Sequence, residues 1–113
     1  MIYKDERGEI IDVGEGDFKA VQIITSKKGS IRSNHLHKRG GHLLYVLSGK
    51  MRYVEAETDR WHEKVVSAGQ SVFTGPGIAH ATEFLEDTVL VCAATLNRAD
   101  GAYEEDLVRV KIL

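Results

Sequence analysis

Apolar and β-branched residues recur along this chain in short runs: "EIIDV" at 9–13, "FKAVQIITS" at 18–26, "HLLYVLSG" at 42–49, "MRYVEAE" at 51–57, "WHEKVVS" at 61–67, "SVFT" at 71–74, "HATEFL" at 80–85, "TVLVCAATL" at 88–96 and "LVRVKIL" at 107–113. Each is bounded by Gly, Asp, Asn, Ser or the single proline, the punctuation expected between strands. Nothing between them has a helix-length apolar stripe with caps. Many short strands at a spacing of roughly 8–12 residues predict an all-β sandwich or barrel. "ADGAYEED", residues 99–106, is the best candidate for a loop or single-turn helix.

The same patterning aims the histidines. Side chains alternate faces along a strand, so His35 and His37 in "NHLH" share a face and can converge on one point. "KRGG" then turns the chain, and His42 opens the neighbouring strand beside them. His80 follows the turn "GPGIA" and begins "HATEF". Four imidazoles at strand starts resemble a metal site, since neutral ring nitrogens bind Zn, Fe, Ni or Cu at ~2.0–2.1 Å. His62 in "DRWHEK" is flanked by charges and reads as a surface histidine. Beyond Gly49, parity and apolar bias turn Met51 and Tyr53 inward, and the Tyr53 phenol either lines the core or binds or protonates a substrate. Gln22, polar among apolar neighbours, lies at a pocket rim or on the solvent face.

Composition narrows the partners. A chain of 113 residues is expected to be one domain, 1–113, with a real core and no room for a second. Its net charge is -2 and its Lys and Arg are scattered, so neither nucleic acid nor an anionic membrane is expected; a small molecule or another copy is. The single cysteine, Cys92, lies in an apolar run where a buried, inert thiol is expected, which fits a reducing compartment. There is no charged start leading into an apolar stretch, and no apolar run approaches the ~18 residues of a membrane span, so a cytoplasmic location is expected. "LLYVL" and "TVLVCAATL" are apolar at both parities and need outward cover, which predicts a two-fold homodimer.

The glycines and proline around the histidines resemble the two motifs of the cupin superfamily. The first motif, G, five residues, H-x-H, three or four residues, E, six residues, G, is matched across 29–49 by Gly29, His35, His37, His42 and Gly49, with His42 where Glu is usual. The second, G, five residues, P-x-G, two residues, H, three residues, N, is matched across 69–84 by Gly69, Gly75-Pro76-Gly77, His80 and Phe84, with Gly75 for the first Pro and Phe84 for Asn. The resemblance implies a jelly-roll β-barrel holding one divalent transition-metal ion (Zn, Fe, Mn or Ni) on His35, His37, His42 and His80. Four neutral imidazoles leave such an ion at roughly +2, where a shell with one carboxylate leaves roughly +1, a tilt toward carbonyl or water activation over redox turnover. If the ion is four-coordinate, the same four ligands close its shell, as in structural zinc sites. Phe84, at the parity of His80, makes its part of the pocket apolar.

"DERGEIIDV" and the run Arg32–Lys38 are similar to small cupins acting on nucleotide-linked keto-sugars, the ketoisomerase and 3,5-epimerase type, which often carry D-x-R-G and R-G-x-H, sometimes R-G-x-H-x-H-K. That resemblance implies His35 or His37 as the base beside a carbonyl and Arg32 as a phosphate contact. Ser33 replaces the motif glycine, those enzymes commonly work without a metal, and "DERG" alone reads as a solvated turn. Three functions stay open: a metal-dependent enzyme of isomerase, epimerase or lyase type on a small oxygenated, sugar-derived substrate; a non-haem iron dioxygenase with a four-histidine site; and a non-catalytic sugar- or ligand-binding cupin with a structural metal. The candidate catalytic residues are His35, His37 and Tyr53, and the candidate substrate contacts are Arg32, Met51, Tyr53 and Phe84.

Overall fold

The structure, a computed structural model, describes residues 2–97 and 102–113. Eleven strands and one short helix follow in order: β1 (Ile2–Asp5), β2 (Gly8–Ile11), β3 (Ala20–Ser26), β4 (Ile31–His37), β5 (His42–Ser48), β6 (Lys50–Glu57), β7 (Arg60–Ser67), β8 (Ser71–Thr74), β9 (Ala79–Phe84), β10 (Thr88–Ala94), α1 (Ala102–Asp106) and β11 (Leu107–Arg109). A four-stranded sheet, β3-β10-β5-β8, faces a five-stranded sheet, β11-β4-β9-β6-β7, and β1-β2 form a separate hairpin. This is the all-β jelly-roll sandwich. No helix among the described residues is long and apolar enough to cross a membrane.

The two inner faces meet in a core of Leu44, Val46, Val72, Leu90 and Cys92 from one sheet and Met51, Tyr53, Val66 and Phe84 from the other. These positions alternate along each strand, so parity alone selects the inner face. Cys92 is buried, as expected of an inert thiol. Leu43 and Tyr45 point to the outer face and are nonetheless buried. At Leu43 the cover comes from the chain itself, because Gly14 approaches so closely that an added Cβ would stand 2.5 Å from the Leu43 Cδ2. The loop before β3 therefore supplies part of the cover that the strand pattern assigned to a second copy.

Several elements differ from the strand pattern. Residues 2–5, outside the predicted runs, pair with 8–11, and "DERG" is the exposed turn between them, closed by the Arg7 N–H donating to Asp5 Oδ1 at 2.9 Å and by an Arg7–Asp5 ion pair at 2.7 Å. The predicted strand 107–113 ends at Arg109. Asn34 captures the remaining tail: its Oδ1 accepts the N–H groups of Ile112 and Leu113 at 3.0 Å each, and its Nδ2 donates to the Leu113 carbonyl at 3.2 Å. Of the candidate segment 99–106, residues 102–106 are helical and residues 99–101 lie outside the described residues. His35 and His37 close β4; they do not open a strand.

β4 carries a bulge just before these histidines. The register with β9 shifts between Ser33 and His35, and both Ser33 (φ 73°) and Asn34 (φ 56°) are left-handed. Asn tolerates that region; Ser does so at a cost. Ser33 stands where the resembling R-G-x-H motif has glycine, and the positive φ is the physical reason for a glycine there. Ser33→Gly is expected to raise stability by about 0.5–1 kcal/mol, as strain relief exceeds the added freedom of the unfolded chain; chemical denaturation checks this.

Candidate metal centre

The bulge and two turns bring four imidazoles together inside the sandwich. β4 delivers His35 and His37 on one face, β9 places His80 directly opposite His35, and β5 brings His42 from the other sheet. The turn Gly75-Pro76-Gly77 is anchored to this end of β4, since the Gly77 N–H donates to the His37 carbonyl at 2.6 Å. All four rings are buried. Ring centroids lie 4.8 Å apart for His35–His37 and His35–His80, 4.9 Å for His42–His80 and 5.4 Å for His37–His42. One ring nitrogen each from His35, His37 and His80 falls within a mutual 4.8 Å. His42 stands on a further side of the cluster, outside that group of three.

Hydrogen bonding fixes which nitrogen faces inward. His80 Nδ1 lies 2.9 Å from the Ile78 carbonyl and His37 Nδ1 lies 3.2 Å from Asp106 Oδ2. Both oxygens accept, so both rings carry a proton on Nδ1, and Nε2 is the nitrogen left to face the cluster. The Nε2 atoms of all four histidines are buried, and that of His80 makes no hydrogen bond among the described residues. Inner nitrogens gathered together, with the outer nitrogens of His37 and His80 held by oxygen acceptors, form a donor set that fits a divalent transition-metal ion.

Two carboxylates set the local charge, and neither is in the metal motifs. Asp106 ends α1 with 1% exposure, accepts the N–H groups of Arg39 (2.7 Å) and Gly40 (3.1 Å), and faces His37. Burial pushes its carboxyl up, but the two N–H groups and His37 outweigh that and hold it below the usual range. The turn at 38–41 must be glycine-rich for this contact, because a Cβ on Gly40 would stand 2.8 Å from Asp106 Oδ2. Glu55 lies across the β6-β9 ladder from His80 and accepts the Tyr53 hydroxyl proton at 2.8 Å. With that proton committed, Thr74 donates to the Tyr53 oxygen. Burial pushes the Tyr53 phenol up, and Glu55 adds to the shift, so the group stays protonated. Burial pushes His80 down and His37 adds to this, against the Ile78 carbonyl and Glu55. The neutral shell expected from His42 is thus backed by an ionised carboxylate behind His37.

The other expected site residues divide. Arg32 and Gln22 both line a cavity of about 190 Å³ that opens over His35, His37 and His42, so Gln22 is at a rim. Arg32 is held there by bonds to Ser26 Oγ (2.7 Å) and the Thr25 carbonyl (3.0 Å). Tyr53 stacks toward His80 at 6.4 Å between centroids. Met51 and Phe84, expected to touch substrate, instead pair with each other across β6 and β9 at 0% and 1% exposure, in the core and away from that cavity. Parity turned them inward correctly, but the inner face at that end of the strands is filled by the opposing sheet. Asp106 is the functional residue the sequence pattern missed. It is one of three consecutive acids, and nothing local tells which one turns inward.

The model of the cupin domain matches residues 22–95. The chain belongs to the cupin family. No curated protein matches its sequence. Among solved structures, this cupin superposes on a double mutant of the QdtA 3,4-ketoisomerase from Thermoanaerobacterium thermosaccharolyticum in complex with TDP, with a TM-score of 0.80 at 26% identity over 96% of this chain and 82% of that one. A 3,4-ketoisomerase from Helicobacter canadensis gives 0.83 at 18% identity over 96% and 85%. The dTDP-4-dehydrorhamnose 3,5-epimerase of Sulfolobus tokodaii gives 0.74 at 19% over 90% and 70%.

If Asp106 orients His37 as a ligand, Asp106→Asn is expected to weaken zinc binding by about 10–100-fold in a calorimetric titration. Unchanged affinity would reduce Asp106 to a support for the 38–41 turn.

Proposed function

We propose that this cupin is an isomerase-type enzyme for a small carbonyl-bearing, sugar-derived substrate, and that His35, His37 and His80 hold one divalent transition-metal ion. The observation that carries the proposal is the buried cluster itself: three ring nitrogens within 4.8 Å of one another, with His37 backed by Asp106. The overlap with sugar ketoisomerases and an epimerase supports the substrate class.

Held by His35, His37 and His80, such an ion would supply Lewis-acid polarisation of a substrate carbonyl and so acidify the adjacent C–H. Three protein ligands would not close the shell as the four of a structural site do. His42, outside the group of three, is placed to take the carbon-bound proton and return it at the neighbouring carbon. Arg32 at the cavity rim contacts the substrate's anionic part. Asp106 keeps His37 in one tautomer, and Tyr53 holds Glu55 close to His80. A second reading rests on the Asp106 contact alone: a histidine whose Nδ1 is held by an ionised carboxylate is a general base, which would make His37 the proton carrier with no ion required.

One experiment separates these. Protein purified without added metal is analysed for bound metals, then incubated with TDP-4-keto-6-deoxyglucose in deuterium oxide while carbon-bound hydrogen exchange is followed by NMR. The expected result is about one ion per chain, lost in His80→Ala and kept in His42→Ala, with exchange slowed about 10²–10⁴-fold in His42→Ala. Exchange that survives metal removal but not His37→Gln supports the second reading. Iron with oxygen uptake would establish the dioxygenase, and a bound ion without exchange on any keto-sugar would establish a binding protein.

The same reading includes a homodimer. Val21 (69% exposed) and Ile23 (71%) on the outer face of β3, with Leu47 on the same sheet, remain uncovered by the chain. Light scattering at micromolar concentration is expected to give twice the chain mass, and Val21→Glu with Ile23→Glu to shift it to the monomer. A monomer mass for the unmodified protein would end this part of the proposal.

A further inference from the structure

The inner face of the five-stranded sheet changes character along the β6-β7 ladder. The Met51–Val66 rung is apolar and fully buried, as a sandwich interior requires. On the next two inward rungs Tyr53 stands opposite Lys64, and Glu55 opposite His62. The inner face at this edge therefore carries the Tyr53 hydroxyl and the side chains of Glu55, His62 and Lys64, the last two exposed. A cleft of about 500 Å³ opens over them, between the edge strands β7 and β8, with Ser71 and Phe73 on its far wall. That volume suits a small-molecule site.

The chemistry of the cleft is specific. Lys64 and His62 make no hydrogen bond or ion pair among the described residues. Glu63 also lines the cleft, and its carboxylate is engaged by Arg52 at 2.8 Å and by the Trp61 indole at 3.1 Å, so it leaves the Lys64 charge available. Glu55 gives one oxygen to Tyr53 and keeps further acceptor capacity. Phe73 presents a half-exposed ring.

We propose that this cleft, which shares Tyr53 and Glu55 with the wall of the histidine chamber but opens between β7 and β8, is a second ligand site that binds a phosphorylated sugar: the phosphate on Lys64 and His62, a hydroxyl on Glu55, and the C–H face of the sugar on Phe73. It requires neither an ion nor isomerase activity, so it stands or falls apart from the proposed reaction.

The test is an amide NMR titration of the full chain with glucose 6-phosphate, with glucose and inorganic phosphate in parallel. Saturable shifts are expected at 53–55, 62–64 and 71–73 with glucose 6-phosphate, and at least about tenfold weaker binding of either fragment. Lys64→Ala and Glu55→Gln should each weaken binding about tenfold, Lys64→Arg should retain it, and Arg32→Ala should leave it unchanged. The unbound spectrum of each variant reports its fold. The proposal is overturned by non-saturating shifts, by shifts centred on 32–37, by inorganic phosphate binding as tightly as the sugar phosphate, or by full affinity in Lys64→Ala.

Discussion

The architecture of the chamber depends on one buried carboxylate. Asp106, near the C-terminus, accepts two backbone N–H groups of the 38–41 turn and faces His37 across 69 residues of sequence. Burying a carboxylate is costly unless its oxygens are satisfied, and here three donors converge on it. The contact makes the end of β4, the turn into β5 and the C-terminal helix one unit. Removing the side chain would leave the turn's N–H groups and the His37 ring without their acceptor, so the constraint is structural and chemical at once.

A second constraint acts from the other end of β4. Two left-handed residues, Ser33 and Asn34, shift its register against β9 so that His35 comes opposite His80. Asn34 also ties down residues 112 and 113. The bulge therefore sets the aim of the histidines and also receives the C-terminal tail. Bulges beside sites that need a side chain re-aimed are a recurring device of β-proteins.

Charge distinguishes this site from the shell the motif spacing implied. His42 replaces a ligand carboxylate, yet Asp106 stands behind His37 and Glu55 lies opposite His80. Negative charge lies behind the rings rather than among them. Carboxylates there would tune ring basicity and orientation in the proposed metal site.

Strand parity and turn residues carried much of the fold and most of the histidine cluster. The period-2 alternation faces Leu44, Val46, Met51, Val66 and Phe84 inward, and the placing of His35, His37, His42 and His80 around glycine turns is readable because those signals are local. Tertiary structure alone decided the rest. Which inward residues face core and which face a cavity depends on where the opposing sheet ends, so Met51 and Phe84 pack while Gln22 lines a rim. The choice of Asp106 among three acids depends on a partner 67 residues away, the Arg39 amide. His62, a surface histidine by its neighbours, lines a cleft because β7 is an edge strand over a gap between the sheets. Strand direction and face are properties of a few consecutive residues; cavities, buried charges and edges are properties of how distant segments meet.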